Sequence, residues 1–415
     1  MIEFERFQLE NGLRVIFHSD PTTPIAVVNT LFDVGAKDEN PDRTGFAHLF
    51  EHLMFGGSVN IPDFDKPLQR AGGQSNAFTS NDITNYYNLL PADNLETALW
   101  LESDRLLSLA FTHESLEVQR NVVIEEFKQR YLNQPYGDVW LTFRPMAYKI
   151  HPYQWPTIGK SIQHIEDASM QDVKSFFKKH YTPQNAILCI AGNFKLNTIK
   201  KLVEKYYADI PSGNKYIRNL PEEPTQNEYR TQLIERNVPN NAFYYGFKMP
   251  AKYQKGYFSA DILSDLIGRG KSSRLYLKLK KELGLVTEIN AYILGSHDTG
   301  LLIIAGYLTN ESSFEDVETA LWEVLDDIKK NDIPDSELTK TINKFKTTKV
   351  FSEQGSLSKA ILLCNFELFG DANDINKELL AYEKLTPSII RKQANKILVK
   401  ENCSRLTIKA IKDAR

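Results

Sequence analysis

Two alternating apolar runs flank Asn11-Gly12, a dipeptide that favours a two-residue hairpin turn, so a strand pair is expected to open the fold. Strand-like runs recur at 25–34, 186–191 and 243–248, and 3.6-residue periodicity predicts helices near 92–109, 113–133, 170–179 and 196–208. The mixture indicates an α/β chain. Between Pro211 and Arg230 the sequence turns polar and rich in Pro, Gly and Asn, which reads as an interdomain linker. The expected division is a domain at 1–210, a linker at 211–229 and a domain at 230–415. After the linker the order repeats: a strand at 243–248, a helix at 256–267, a glycine-rich break, a helix at 273–283, then strands and two long helices. Two equivalent halves are expected.

Composition narrows the class. A chain of 415 residues with 42% hydrophobic and 25% charged residues has the make-up of a globular protein of two or three domains. Fifty Lys+Arg against 53 Asp+Glu give a net charge of −3, which argues against a sequence-independent nucleic-acid binder. No apolar run reaches the ~18 to 20 residues of a membrane span. Met1 to Arg6 lacks the basic start and apolar block of a signal peptide, so the cytoplasm is favoured, with the periplasm as the expectation if a leader precedes this sequence. Cys189, Cys364 and Cys403 are odd in number and widely spaced, which suits core thiols rather than a disulfide framework or a cysteine zinc site.

The most informative segment runs from Thr44 to Gly57, an apolar helix pattern with Thr44 as N-cap and glycines at its end. His48 and His52 are four residues apart, so both imidazoles point the same way and suit one zinc ion, with Glu51 on the same face. Phe46, Ala47, Leu49, Phe50, Leu53, Met54 and Phe55 surround them, and three buried ionisable groups without a metal or partners would cost several kcal/mol. With eight histidines in the chain, a chance His-x-x-Glu-His has a frequency of roughly 0.01. A third ligand is expected on the helix at 113–133, where the stripe of Gln119, Val122 and Val123 favours Glu126 over Glu125. Periodicity alone leaves open that both glutamates are surface carboxylates.

His-x-x-Glu-His is the inverted zinc-peptidase motif. With it stand Gly72-Gly73-Gln74-Ser75-Asn76-Ala77-Phe78-Thr79-Ser80, Tyr86-Tyr87, Asn121-Val122-Val123-Ile124-Glu125-Glu126, His151-Pro152-Tyr153 with Gly159, and Tyr181-Thr182-Pro183-Gln184-Asn185-Ala186. On these residues the chain resembles, over essentially its whole length, the short two-domain branch of the pitrilysin and mitochondrial processing peptidase family. The resemblance implies an α+β fold of two homologous halves, each an antiparallel-rich sheet with helices on one face, forming one side of a clam-shaped chamber. It implies one zinc per chain held by His48, His52 and Glu126, with Glu51 as general base. It also places the segment 74–80 at a sheet edge beside the zinc, where Asn76, Ala77, Phe78 and Thr79 would bind peptide substrate as an added strand.

Three departures from the family pattern stand out. Gln119 occupies the position, seven residues before the third ligand, where many relatives carry a glutamate that supports the site. The second half has Ala260, Asp261, Ile262 and Leu263 where the first has its metal triplet, so only the first half is expected to bind zinc. Lys280 and Thr287 replace an arginine and tyrosine that active relatives use to hold the substrate carbonyl. The expectation is a zinc endopeptidase for short or unfolded peptides. Its partner would be a zinc-less paralogue supplying the missing pair, with a homodimer as the runner-up and a non-catalytic structural subunit as the alternative function.

Overall fold

A computed structural model of the chain describes residues 1–411. The first hairpin forms: β1 (Glu5–Gln8) runs antiparallel to β2 (Arg14–Ser19). Its connection is longer than a two-residue turn because Asn11 is drawn inside. The Asn11 amide donates to the carbonyls of Tyr207 and Ile210 at the end of the helix Leu196–Tyr207, while Gly12, at φ 94°, donates to Leu9 O. Satisfying buried carbonyls outweighs a tighter turn.

Four more strands, β3 (Ile25–Phe32), β4 (Gln74–Thr79), β5 (Thr84–Pro91) and β6 (Ala186–Gly192), complete a sheet of order β1-β2-β6-β3-β5-β4 in which only β2 and β6 pair in parallel. Every residue of β6 is buried, as an unbroken apolar run requires when both faces of a strand are covered. On β3, Asn29 Nδ2 reaches Cys364 Sγ of the helix Ser356–Phe369 at 3.3 Å, whereas Thr30 reaches Glu102 of the helix Leu95–Ser108 at 3.2 Å. Neighbouring strand residues face opposite ways, so these helices cover opposite faces.

The second sheet repeats this plan with β7 (Arg230–Arg236), β8 (Ala242–Met249), β9 (Val286–Leu294), β10 (Gly300–Leu308) and β11 (Cys403–Ala410), in the order β7-β11-β8-β10-β9. Its parallel pair is β7 and β11, matching β2 and β6 in both place and chain order. Phe243, Tyr245 and Phe247 face a core built with the helices Tyr257–Gly268, Phe314–Lys330 and Pro387–Ile397. The alternate residue Tyr244 packs with Leu301, Ile303 and Phe143 of the helix Val139–Ala147 on the other face.

The chain divides into two compact units, neither of them continuous. The first contains 1–130, 155–220 and 350–377; the second contains 131–154, 221–349 and the chain from Glu378 onward. One division falls between Leu220 and Pro221, within the residues 211–229 that hold no helix or strand. Beyond that single cut, each half of the sequence gives one helix to the other unit, Val139–Ala147 to the second and Ser356–Phe369 to the first. The two-domain α/β fold is thereby extended, with helices on both faces of each sheet rather than one, because each sheet has a second apolar face to bury. The three cysteines are buried free thiols. Among the described residues no helix is long and apolar enough to cross a membrane.

Candidate metal centre

The helix Phe46–Leu53 begins after Gly45 rather than at the predicted cap Thr44. Gly45 stands at φ 92°, a conformation that favours glycine, and the Thr44 hydroxyl instead accepts from Lys160 N at 2.8 Å. Phe46, Ala47, Leu49, Phe50 and Leu53 are buried, so the short helix is embedded on most sides, and Gly56 and Gly57 follow its end. His48 is buried; Glu51 and His52 are half-buried and reach its open side.

His48 and His52 converge on Glu126. Their Nε2 atoms lie 3.5 and 3.4 Å from the same oxygen, Glu126 Oε2, with the rings 4.9 Å apart and at 82° to each other. Ligands about 2.0 to 2.2 Å from a tetrahedral zinc are separated by about 3.3 Å, so this spacing fits that ion. The three ligand atoms lie within 4.8 Å of one another, the one such cluster among the described residues. Burial lowers the His48 imidazole to about 4, which keeps it neutral as a metal ligand must be. The Glu126 carboxyl is held below its ordinary range, first by the hydrogen bond from His52 and then by His48 and Arg130. Burial raises Glu51, and the nearby Thr79 hydroxyl opposes that shift without meeting full hydrogen-bond geometry.

Glu126 lies near the end of the helix His113–Phe127, whose Val123, Ile124 and Phe127 are buried. Val122 is exposed, so the side that orients Glu126 is defined by Val123 and Phe127 rather than by Val122. Glu125 points outward to Lys128 at 2.7 Å. Gln119 is half-buried on the same helix, but the group that meets Glu126 is Arg130, whose guanidinium contacts Oε1 at 3.0 Å and leaves Oε2 to the histidines. Arg130 stands four residues after Glu126, the ordinary spacing of a helical ion pair, so the signal is present in the sequence although the turn itself is a π-turn over Lys128–Leu132.

Asn76, Ala77, Phe78 and Thr79 lie on β4, at the edge of the first sheet. Ala77 is paired in register with Tyr86, whose hydroxyl reaches Phe50 O at 3.3 Å, so Ala77 and Thr79 face the metal helix and Asn76 and Phe78 face away. The Ala77 amide is met by Asn76 Oδ1 at 2.8 Å. In the second unit, Gly256 at φ 100° starts the helix Tyr257–Gly268 as Gly45 starts its counterpart, but Asp261 there is engaged by the Tyr382 hydroxyl at 2.6 Å and raised by burial to about 6.

Residues 14–158 match the family described as insulinase, peptidase family M16, and residues 167–345 match the peptidase M16 inactive domain. The chain is 30% identical over 398 residues to the zinc protease PqqE of Helicobacter pylori, covering 94% of this chain and 89% of that protein. It belongs to peptidase family M16. The crystal structure of a protease from Helicobacter pylori superposes with a TM-score of 0.91 at 28% identity, covering 99% of this chain and all of that one. The periplasmic protease PqqL of Escherichia coli shares the fold with a TM-score of 0.81 at 17% identity, over 100% of this chain and 49% of that one.

Proposed function

We propose that the chain is a zinc-dependent endopeptidase for short or unfolded peptides, with His48, His52 and Glu126 as ligands and Glu51 as general base. The observation that carries this is the convergence of two imidazole nitrogens on one carboxylate oxygen at 3.4 and 3.5 Å, the separation that zinc ligands adopt. Zinc supplies Lewis-acid activation of water and of the scissile carbonyl when bound there. Glu51 accepts the proton of the attacking water at its carboxylate and later delivers it to the leaving nitrogen. Its burial favours that return, since a desolvated carboxylate holds a proton more readily than an exposed one. Arg130, by holding Glu126 Oε1, presents the other oxygen toward the imidazoles. The proposed partner is a zinc-less paralogue, because Lys280 and Thr287 stand in the second half where an arginine and a tyrosine are needed.

The test is metal content together with cleavage of a quenched peptide library, with and without chelator. Glu51→Gln should keep zinc and lose at least about a hundredfold in rate, within the 10² to 10⁴ range of general-base contributions. Glu126→Gln should release far more zinc than Glu125→Gln. Wild-type turnover in Glu51→Gln, or equal zinc loss in the two Glu variants, overturns the assignment.

A further inference from the structure

Upstream of the metal helix lies a buried carboxylate that neither the ligand set nor the proton transfer uses. Glu39 follows the short turn Ala36–Asp38, and its Oε1 accepts from Ala47 N at 2.8 Å while its Oε2 accepts from Gly45 N at 2.9 Å and from Trp155 Nε1 at 3.1 Å. A helix leaves its first N–H groups without internal partners, and a Ser, Thr, Asp or Asn side chain at the N-cap ordinarily satisfies them. Here the N-cap is Gly45. A Cβ at that position would lie 2.7 Å from Ile158 O, and one at Gly159, itself at φ 100°, would lie 2.9 Å from Thr44 O. Two stretches of backbone therefore meet where a capping side chain would stand, and the cap has to come from outside the helix.

The location gives the cap its consequence. The helix has only eight residues, so it contains few internal hydrogen bonds, and a cooperative helix this short depends on its ends. Ala47, whose amide Glu39 holds, directly precedes His48. Burial pushes the Glu39 carboxyl up to about 8 against the opposing pull of the Ala47, Gly45 and Trp155 donors, so the cap works through accepted hydrogen bonds rather than through charge. Trp155 fixes the carboxylate in turn, donating to Ala36 O at 3.0 Å as well as to Glu39. This gives a reason for the segment Trp155 to Gly159, which no ligand or proton-transfer role explains.

We propose that Glu39 is a positioning residue of the metal centre: by capping the helix Phe46–Leu53 from outside, with Trp155 and the Gly45–Gly159 contact as its support, it holds His48 and Glu51 in the orientation the site requires. The functional part of this inference rests on the zinc-peptidase reading; the cap itself does not.

The experiment compares the full-length wild-type chain with Glu39→Gln, which keeps the volume but turns an NH₂ donor toward amide or indole donors. Three quantities are read: hydrogen exchange of the peptide spanning 45–47, zinc affinity by chelator competition, and the split between kcat and KM. Glu39→Gln should exchange at least about tenfold faster at 45–47 and bind zinc about tenfold or more weakly, the scale of losses from supporting residues around metal sites, with kcat lowered and KM little changed. Trp155→Phe, which removes one donor and keeps both amide contacts, should show smaller losses of the same kind. If Glu39→Gln does not fold, Glu39→Asp, one methylene shorter, is read in the same way. Unchanged exchange and zinc affinity in the variant overturn the role of Glu39, whereas absence of zinc from the wild-type chain counts against the peptidase reading instead.

Discussion

His180 closes the helix Met170–His180 with neither ring nitrogen hydrogen-bonded, its imidazole set between Phe176 and Tyr216 at centroid distances of 4.6 Å each. Burial lowers this imidazole to about 3, with the Lys179 and Arg218 charges pushing the same way. The sign follows from proton binding: between roughly pH 6.5, the ordinary histidine value, and pH 3, the unfolded chain binds a proton that the folded chain refuses. Stability should therefore fall as pH drops through this window, at a slope from this group of at most about 1.4 kcal/mol per pH unit. His180→Phe should flatten that acid limb and leave the stability at pH 8 less changed. Urea midpoints of the wild-type and variant chains at pH 8, 6.5 and 5 measure it, and parallel pH profiles would remove His180 as the source. Phe176, Phe177, Tyr181 and Phe50 stack around the same helix end, so the imidazole acts as one more ring in an aromatic cluster beneath the metal helix.

At the scale of elements, β4 carries the prediction for substrate. Among the described residues no strand pairs with its outer edge, and Asn76 Oδ1 accepts from the Ala77 amide at 2.8 Å, a donor that proline removes. If peptide adds to this edge as a strand, Ala77→Pro should raise KM while zinc content stays at the wild-type level. An unchanged KM in the folded variant would reject β4 as the binding edge. The elements themselves were mostly legible: helical periodicity marked the helices now bounded as Leu95–Ser108, Met170–His180 and Leu196–Tyr207, and the apolar run of β6 declared its double burial. What escaped was long-range. The helix Ser356–Phe369 is apolar enough to be buried, but no periodicity says which sheet it covers, and Val139–Ala147 carries Pro145 within it. His48, Glu51 and His52 stand out in the sequence because they are local to one helix, whereas Glu39 caps that helix from outside it and has no periodic signal.

For the whole molecule, the question is whether one chain carries a complete catalytic apparatus. Lys280 donates to the carbonyl of Thr287, so this ammonium is already engaged within its own unit. Arg274, the other cation near that segment, is held by Glu337 at 2.8 and 3.0 Å and by Asp327 at 2.7 Å. Lys280 has an ammonium and no guanidinium fork, Arg274 could present its fork to a substrate carbonyl only by giving up these contacts, and Thr287 has no phenolic hydroxyl. These facts weigh against a homodimer in which Lys280 or Arg274 stands in for the missing pair. An oxyanion donor pair is worth about 3 kcal/mol, roughly two orders of magnitude in rate. The isolated chain should accordingly bind zinc but cleave peptides slowly, and addition of a zinc-less paralogue bearing the arginine and tyrosine should raise kcat about a hundredfold. The double variant Lys280→Arg, Thr287→Tyr should recover part of that rate without the partner. Peptide turnover measured for the chain alone, for the mixture and for the double variant decides the matter, with sedimentation of the mixture reporting the complex. Full activity of the chain alone, unaffected by the paralogue, would remove the reason for proposing a zinc-less partner.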